Sequence, residues 1–336
     1  MAFALLVVAA IAATASAAAF VAPALGARST TTRAVSELLR QTRSVLLGVS
    51  APAAGPGAID QFGRDGGENV GLANMYASFA SPAFDAAFAE RVRSQGALPM
   101  VTWLPCADGS LGPHQPRFSL RRLAGGEYDG YIREWAAGVA AWRRPLLLRF
   151  APEMNGSWNP WSAGVNGNSA REYVQAWRHV HGLFDQVGAT NVLWVWSPNV
   201  VMPSSPSLRS LYPGDRYVDW VGIDGYNWGR SRPHDRWQSF DQVFSPTLRV
   251  VRRLTGKPLM LSEVGSTELG GDKPAWITSF FAALRRNPDI LAFVWFNFDK
   301  ETDWRIESSR ASVRAFAAGV ASGRVRGAWT AFADAG

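Results

Sequence analysis

Eight short apolar runs recur along the chain, and nearly every one is followed by a stretch of helical periodicity. They are SVLLGVS (44–50), VGLANMYASFA (70–80), ALPMVTWLP (97–105), PLLLRFAPE (145–153), NVLWVWSPN (191–199), YVDWVGIDGYNW (217–228), KPLMLSEVGS (257–266) and ILAFVWFNFD (290–299). They read as continuous apolar runs rather than alternations, as parallel strands covered on both faces do. Helices are expected at 81–96, 127–144, 169–188, 239–256, 273–288 and 308–323. Ser169 and Gly188 supply the start and stop signals of the third, and Pro246 predicts a kink or break in the fourth. A Gly/Pro-rich loop and a short polar segment separate the first two strands, and LRSLYPGD (208–215) reads as loop or short helix. Eight strands alternating with helices predict an α/β fold, a single-domain (β/α)8 TIM barrel. An open doubly wound sheet would want a glycine fingerprint after its first strand, and APAAGPG (51–57) lacks the G-x-G-x-x-G spacing.

Composition narrows the chemistry. The 336 residues are 47% hydrophobic and 18% charged, which is a folded chain rather than a disordered one. A lone cysteine, Cys106, excludes an intramolecular disulfide and a cysteine-based metal cluster. His114, His179, His181 and His234 lack zincin spacing, and there is no phosphate-binding loop. Neither metal nor cofactor is expected. The net charge of +7, almost all of it arginine, would attract acidic polymers. No Lys/Arg run or RNA-binding motif accompanies it, so nucleic acid is not an expected partner. Residues 1–26 are small and apolar, which reads as a secretory signal or, if uncleaved, a membrane anchor. With 27–43 as linker, the folded domain runs over 44–336. The expectation is a monomer lying outside the cytoplasm.

In a barrel of this kind chemistry sits at the C-terminal ends of the strands. Polar and aromatic residues gather there: Ser50, Tyr76, Trp103, Arg149, Glu153, Trp196, Asn199, Asp224, Tyr226, Glu263, Trp295 and Asn297. The stretch LLLRFAPEMNGSWNPW (146–161) is the densest. It ends a strand in an acid, Glu153, an amide, Asn155, and two indoles, Trp158 and Trp161. An acid can move protons, an amide can bond a hydroxyl, and an indole can stack on a pyranose ring. Glu153 and Glu263 end strands four and seven, from which inward carboxylates can approach the ~5–5.5 Å of a retaining glycosidase. One would protonate the leaving oxygen while the other attacks the anomeric carbon. By the strand period of two, Arg149 shares a side with Glu153 and reads as a scaffold for the site.

The segments RFAPEMNGSWNPW, WVWSPN, YVDWVGIDGYNW, KPLMLSEVG and VWFNFD, in this order, resemble glycoside hydrolase family 26. That family holds β-mannanases, some mixed-linkage β-glucanases and β-1,3-xylanases, and the resemblance covers about residues 44–320. It implies a secreted retaining endo-β-glycosidase acting on a polysaccharide, foremost β-1,4-mannan, with Glu153 as acid/base and Glu263 as nucleophile. Asp224 and Tyr226 match the family's D-x-Y, whose tyrosine bonds the nucleophile. Trp295 matches the aromatic floor under the cleaved sugar. Trp158, Trp161, Trp103 and Trp228 are then candidate platforms for flanking sugars, and Asn155 a candidate contact. The chain departs at Pro152, where family mannanases commonly carry histidine, and that puts the identity of the sugar in question. A different class of function, a catalytically weak carbohydrate-binding or exopolysaccharide accessory protein, would use the same barrel without needing both carboxylates.

Overall fold

A computed structural model describes residues 44–52, 56–107, 112–322 and 324–327, together with Glu37 and Gln41. The signal or anchor expected at 1–26 and nearly all of the linker at 27–43 lie outside the described residues. Eight strands form the sheet: β1 (Val45–Ser50), β2 (Leu72–Ser78), β3 (Leu98–Leu104), β4 (Leu146–Phe150), β5 (Val192–Trp196), β6 (Trp220–Asn227), β7 (Leu259–Ser266) and β8 (Ile290–Phe296). Each pairs in parallel with the next, and β1 pairs with both β8 and β2, which closes the barrel. A ninth strand, β9 (Val325–Arg326), was not expected. It takes the edge of β1 at Val45 and Leu46, ahead of Gly48–Ser50, where β2 takes over. Two residues are too few to show any periodicity.

The helices are α1 (Pro56–Gly66), α2 (Ala86–Ser94), α3 (Leu120–Ala124), α4 (Asp129–Trp142), α5 (Ala170–Val187), α6 (Leu208–Leu211), α7 (Phe240–Leu254), α8 (Lys273–Arg286) and α9 (Arg310–Ala321). α5 begins at a reciprocal capping box between Ser169 and Glu172 and ends at left-handed Gly188. α1 stands where a loop and polar segment were expected. Its three glycines hide it, and Ile59 and Phe62 are the anchors it buries. α2 starts at Ala86 rather than Ser81, because Asp85 caps it by accepting from the Phe88 N–H. α7 runs through Pro246 without a break. Burial of Phe240, Val243, Phe244, Leu248 and Val251 along one stripe outweighs the single hydrogen bond that proline removes.

Two cores result. One lies between sheet and helices. The other fills the bottom of the barrel with Leu46, Leu72, Leu98, Met100, Leu147, Leu193, Val195, Trp220, Met260 and Val294. Each fully buried Leu or Met in that floor is worth about 1.5–3 kcal/mol. Above the floor the buried residues are Ser50, Asn74, Thr102, Arg149, Ser197, Asp224 and Ser262. Burying so many polar groups is tolerable only if they satisfy one another. Arg149 Nε apart, they do so by a chain of hydrogen bonds: Asn74 to Ser50 at 3.1 Å, Thr102 to Asn74 at 2.7 Å, Arg149 to Thr102 at 3.1 Å, and Ser262 to Asp224 at 2.7 Å. Gly222 leaves the room this needs. A Cβ there would lie 2.2 Å from Ser262 Oγ and 2.8 Å from Ser197 Oγ.

Candidate active site

Strict alternation along β7 would send Met260 and Ser262 into the barrel and Glu263 out of it. The β6–β7 register instead slips by one residue, with Gly222 opposite Met260 and Asp224 opposite Glu263. The extra residue is a β-bulge, which re-aims the side chain that follows it. Ser262 and Glu263 therefore both point inward. Ser262 bonds Asp224, and Glu263 meets three donors. Arg149 Nη1 donates to its Oε1 at 2.7 Å, Tyr76 Oη to the same oxygen at 2.8 Å, and Tyr226 Oη to Oε2. Burial and the Glu263 charge hold both phenols well above their usual pKa, so both stay protonated and donate.

Arg149 is 1% exposed and ties the two halves of the site together. Its other nitrogen, Nη2, donates to Asp224. Burial works against its charge, but the Asp224 and Glu263 carboxylates outweigh that and raise its pKa well above the ordinary value. Asp224 also accepts from Ser197 and Ser262 and is fully buried. It touches no solvent and holds Arg149 rather than a sugar, which corrects its place among the substrate contacts.

Glu153 arrives by another route. β4 ends at Phe150, and the chain turns through Ala151 and Glu153, both at positive φ (44° and 57°). Such a conformation costs a non-glycine residue about 1–3 kcal/mol. Ala151 N–H to Trp103 O at 3.0 Å and Glu153 N–H to Ser197 O at 2.7 Å hold it in place. Glu153 thus shares a side with Arg149 through this turn, not through the strand period. Its Oε1 accepts from Asn199 Nδ2 at 2.7 Å and its Oε2 from Trp158 Nε1 at 2.6 Å. Burial first, then the charge of Glu263, raises its pKa, and the Trp158 N–H, Arg149 and Asn199 pull the other way. The half-buried carboxyl is thereby biased toward carrying a proton at a pH where an exposed one would have lost it.

The aromatic readings divide. Trp158, 40% exposed, and half-buried Trp228 stand at the mouth. Trp103 and Trp295 do not. Each follows an inward residue, Thr102 and Val294, so each faces the helices. Trp103 packs on Phe79 and Trp135, and Trp295 packs on Phe280 and Phe316 with its Nε1 bonded to Trp304 O. Both are fully buried, so neither is a sugar platform. Trp161 is 2% exposed and donates to Pro152 O at 2.6 Å, bracing the turn. Asn155 is buried too: its Oδ1 accepts from Asn199 N–H and its Nδ2 donates to Asn199 O, each at 2.9 Å. It positions the residue that bonds Glu153. Three further side chains at the rim, Tyr76, Arg149 and Asn199, bond the two acids directly, beside Tyr226 and Trp158. Trp304, unnoticed in the sequence, packs behind Tyr226 with ring centroids 4.8 Å apart. No group of three or more His, Cys, Asp or Glu among the described residues is placed to hold a metal.

A family model described as glycosyl hydrolase family 26 matches residues 127–260, a span that includes Glu153, Asp224 and Tyr226 and stops short of Glu263. The chain belongs to glycosyl hydrolase family 26. Endoglucanase H of Acetivibrio thermocellus is 36% identical over 241 residues, 70% of this chain and 26% of that protein. The β-1,3-xylanase TXYA of a Vibrio species is 27% identical over 55% of this chain and 42% of its own length. A mannan endo-1,4-β-mannosidase of Bifidobacterium adolescentis is 30% identical over 58% and 22%. The chain thus spans less than half the length of each of these relatives. Among solved structures, a family 26 β-mannanase from Bacteroides ovatus superposes with a TM-score of 0.69 at 20% identity, covering 90% of this chain and 96% of that one. At that identity the likeness speaks for the barrel alone.

Proposed function

We propose that this family 26 glycoside hydrolase is a retaining endo-β-glycosidase in which Glu263 attacks the anomeric carbon and Glu153 protonates the leaving oxygen, then activates the water that opens the glycosyl-enzyme. The observation that carries the proposal is the asymmetry of the two acids. Glu263 accepts from a guanidinium and two phenols, which hold and aim it. Glu153 faces Glu263 across the site with its pKa raised. A carboxyl biased toward its protonated form suits the acid, and the partner held and aimed by three donors suits the nucleophile.

For the backbone sugar we take a β-glucan ahead of the β-1,4-mannan to which the family resemblance alone leads. Pro152, buried and held through its backbone O by the Trp161 indole N–H, has no side-chain donor or acceptor where family mannanases commonly carry histidine. The match to Endoglucanase H is also both longer and more identical than the match to the Bifidobacterium mannanase. The apolar residues 1–26 support action outside the cytoplasm. One experiment tests the reading: purified chain incubated with mixed-linkage β-glucan, β-1,4-mannan and β-1,3-xylan, with the anomer of the first product followed by proton NMR. The β anomer should appear first, from the glucan. Glu153→Ala should lower kcat by about 10²–10⁴, and Glu263→Ala should abolish turnover. Initial release of the α anomer, or turnover unchanged in either variant, overturns the assignment.

A further inference from the structure

The loop between β6 and α7 carries a charge pattern that the proposed reaction does not use. Arg230, Arg232, His234, Arg236 and Trp237, with Asp235 and Gly270, line an open cavity of ≈ 680 Å³, within the usual range of ligand sites. The lining sets three guanidiniums against one carboxylate, and Asp235 keeps its Oδ2 buried. Some arginines elsewhere pair with acids, as Arg93 does with Glu90, Arg122 with Glu127 and Arg252 with Asp289. Among the described residues, Arg230, Arg232 and Arg236 make no ion pair.

The loop is clamped in position. Asn227 Oδ1 accepts from Gln238 N–H at 2.9 Å while its Nδ2 donates to Ser266 Oγ at 2.9 Å, and Arg230 N–H donates to Leu269 O at 2.8 Å. A Cβ on Gly271 would lie 2.2 Å from the Trp237 ring. The cavity is linked to the candidate acids through packed side chains. The Arg232 guanidinium lies 3.0 Å over the Trp228 ring, Trp228 packs 5.8 Å from Tyr226, and Tyr226 bonds Glu263.

We propose that this cavity binds a carboxylate-bearing sugar unit of the glycan, a short way along the chain from the bond that is cut. Arginine forks match planar carboxylates and cost little to hold in place. Trp237, in the cavity lining, is the indole that can stack on the ring that carries the acid. Cleavage of that bond rests on the Glu153–Glu263 reading, whereas the binding does not.

Affinity electrophoresis through mixed-linkage β-glucan and through its carboxymethylated derivative tests the proposal, alongside kcat/KM on both polymers. The wild-type chain should bind and turn over the carboxymethylated polymer about tenfold better, the worth of two exposed ion pairs. Arg230→Gln/Arg236→Gln should lose that preference while keeping wild-type turnover of the neutral polymer. Arg249→Gln/Arg253→Gln removes the same charge from the exposed face of α7 and should keep the preference. Equal retention in both doubles, equal loss in both, or no wild-type preference overturns the proposal. Absence of cleavage of any β-glycan with the binding pattern intact overturns the catalytic reading instead.

Discussion

Glu153 and Glu263 sit in one site but are held by opposite kinds of neighbour. Glu263 receives a full positive charge and two phenols, and Glu153 receives one amide and one indole N–H. On the proposed mechanism Glu153 must be protonated when the glycosidic bond breaks, so kcat/KM falls as pH rises through its pKa. The Trp158 N–H bonds the ionised carboxylate and so lowers that pKa. Trp158→Phe removes the bond, and the alkaline limb of the kcat/KM profile should move to higher pH. A limb that stays put or moves down would mean that Trp158 acts on the sugar alone. Both acids were legible from the sequence because each ends an apolar run. Their partners were less so. Tyr76 and Arg149 stood at strand ends, but nothing in a linear string shows that β2 and β4 aim at the same carboxylate on β7. The period of two would have removed Trp103 and Trp295, since each follows an inward residue.

Single elements decide whether those side chains can meet. The β7 bulge turns Glu263 inward, and Gly222 on β6 is the space into which Ser262 and Ser197 fit. Gly222→Ala would push a methyl to 2.2 Å from Ser262 Oγ and force the bulge to shift. Overpacking of this kind costs about 1–3 kcal/mol. Its second effect should be on chemistry: Asp224 would lose its serine donors, Arg149 its anchor and Glu263 its aim. The expected result is a lower melting temperature together with a fall in kcat larger than any change in KM. A stability loss with kcat unchanged would show that the serine layer is packing alone. The bulge could not be read from LSEVGS, because an inserted residue has no signature until the strand beside it is known. The same reason hid α1, whose glycines erase its periodicity, and let Pro246 suggest a break in a helix that its buried stripe keeps whole.

At the scale of the whole molecule, the barrel was the most legible feature, since eight doubly covered strands repeat one signal eight times. The rim that joins successive β–α units was not, and a second buried cation, in addition to Arg149, belongs to it. Lys273, the first residue of α8, is 0% exposed and donates to Asp303 O at 3.2 Å, Arg305 O at 2.7 Å and Ser308 Oγ at 2.8 Å. It thereby fastens the start of α8 to the segment between β8 and α9 that carries Trp304. Burial lowers its pKa from 10.5 to about 8, against the pull of Glu268, Asp303 and Glu307. Below about pH 8 the folded and unfolded chains both carry this charge, and the folded chain bears the whole cost of burying it. Between about 8 and 10.5 the unfolded chain binds more protons than the folded one, so stability rises with pH. The shift corresponds to on the order of 3 kcal/mol. Lys273→Met removes the titration while keeping a stem of similar length. The melting temperature of the wild-type chain minus that of the variant should therefore grow by several degrees from pH 7 to pH 10.5. Other alkaline titrations cancel in the difference. A difference that is flat or shrinks over that range would mean that the three oxygen acceptors keep Lys273 charged at the rim throughout.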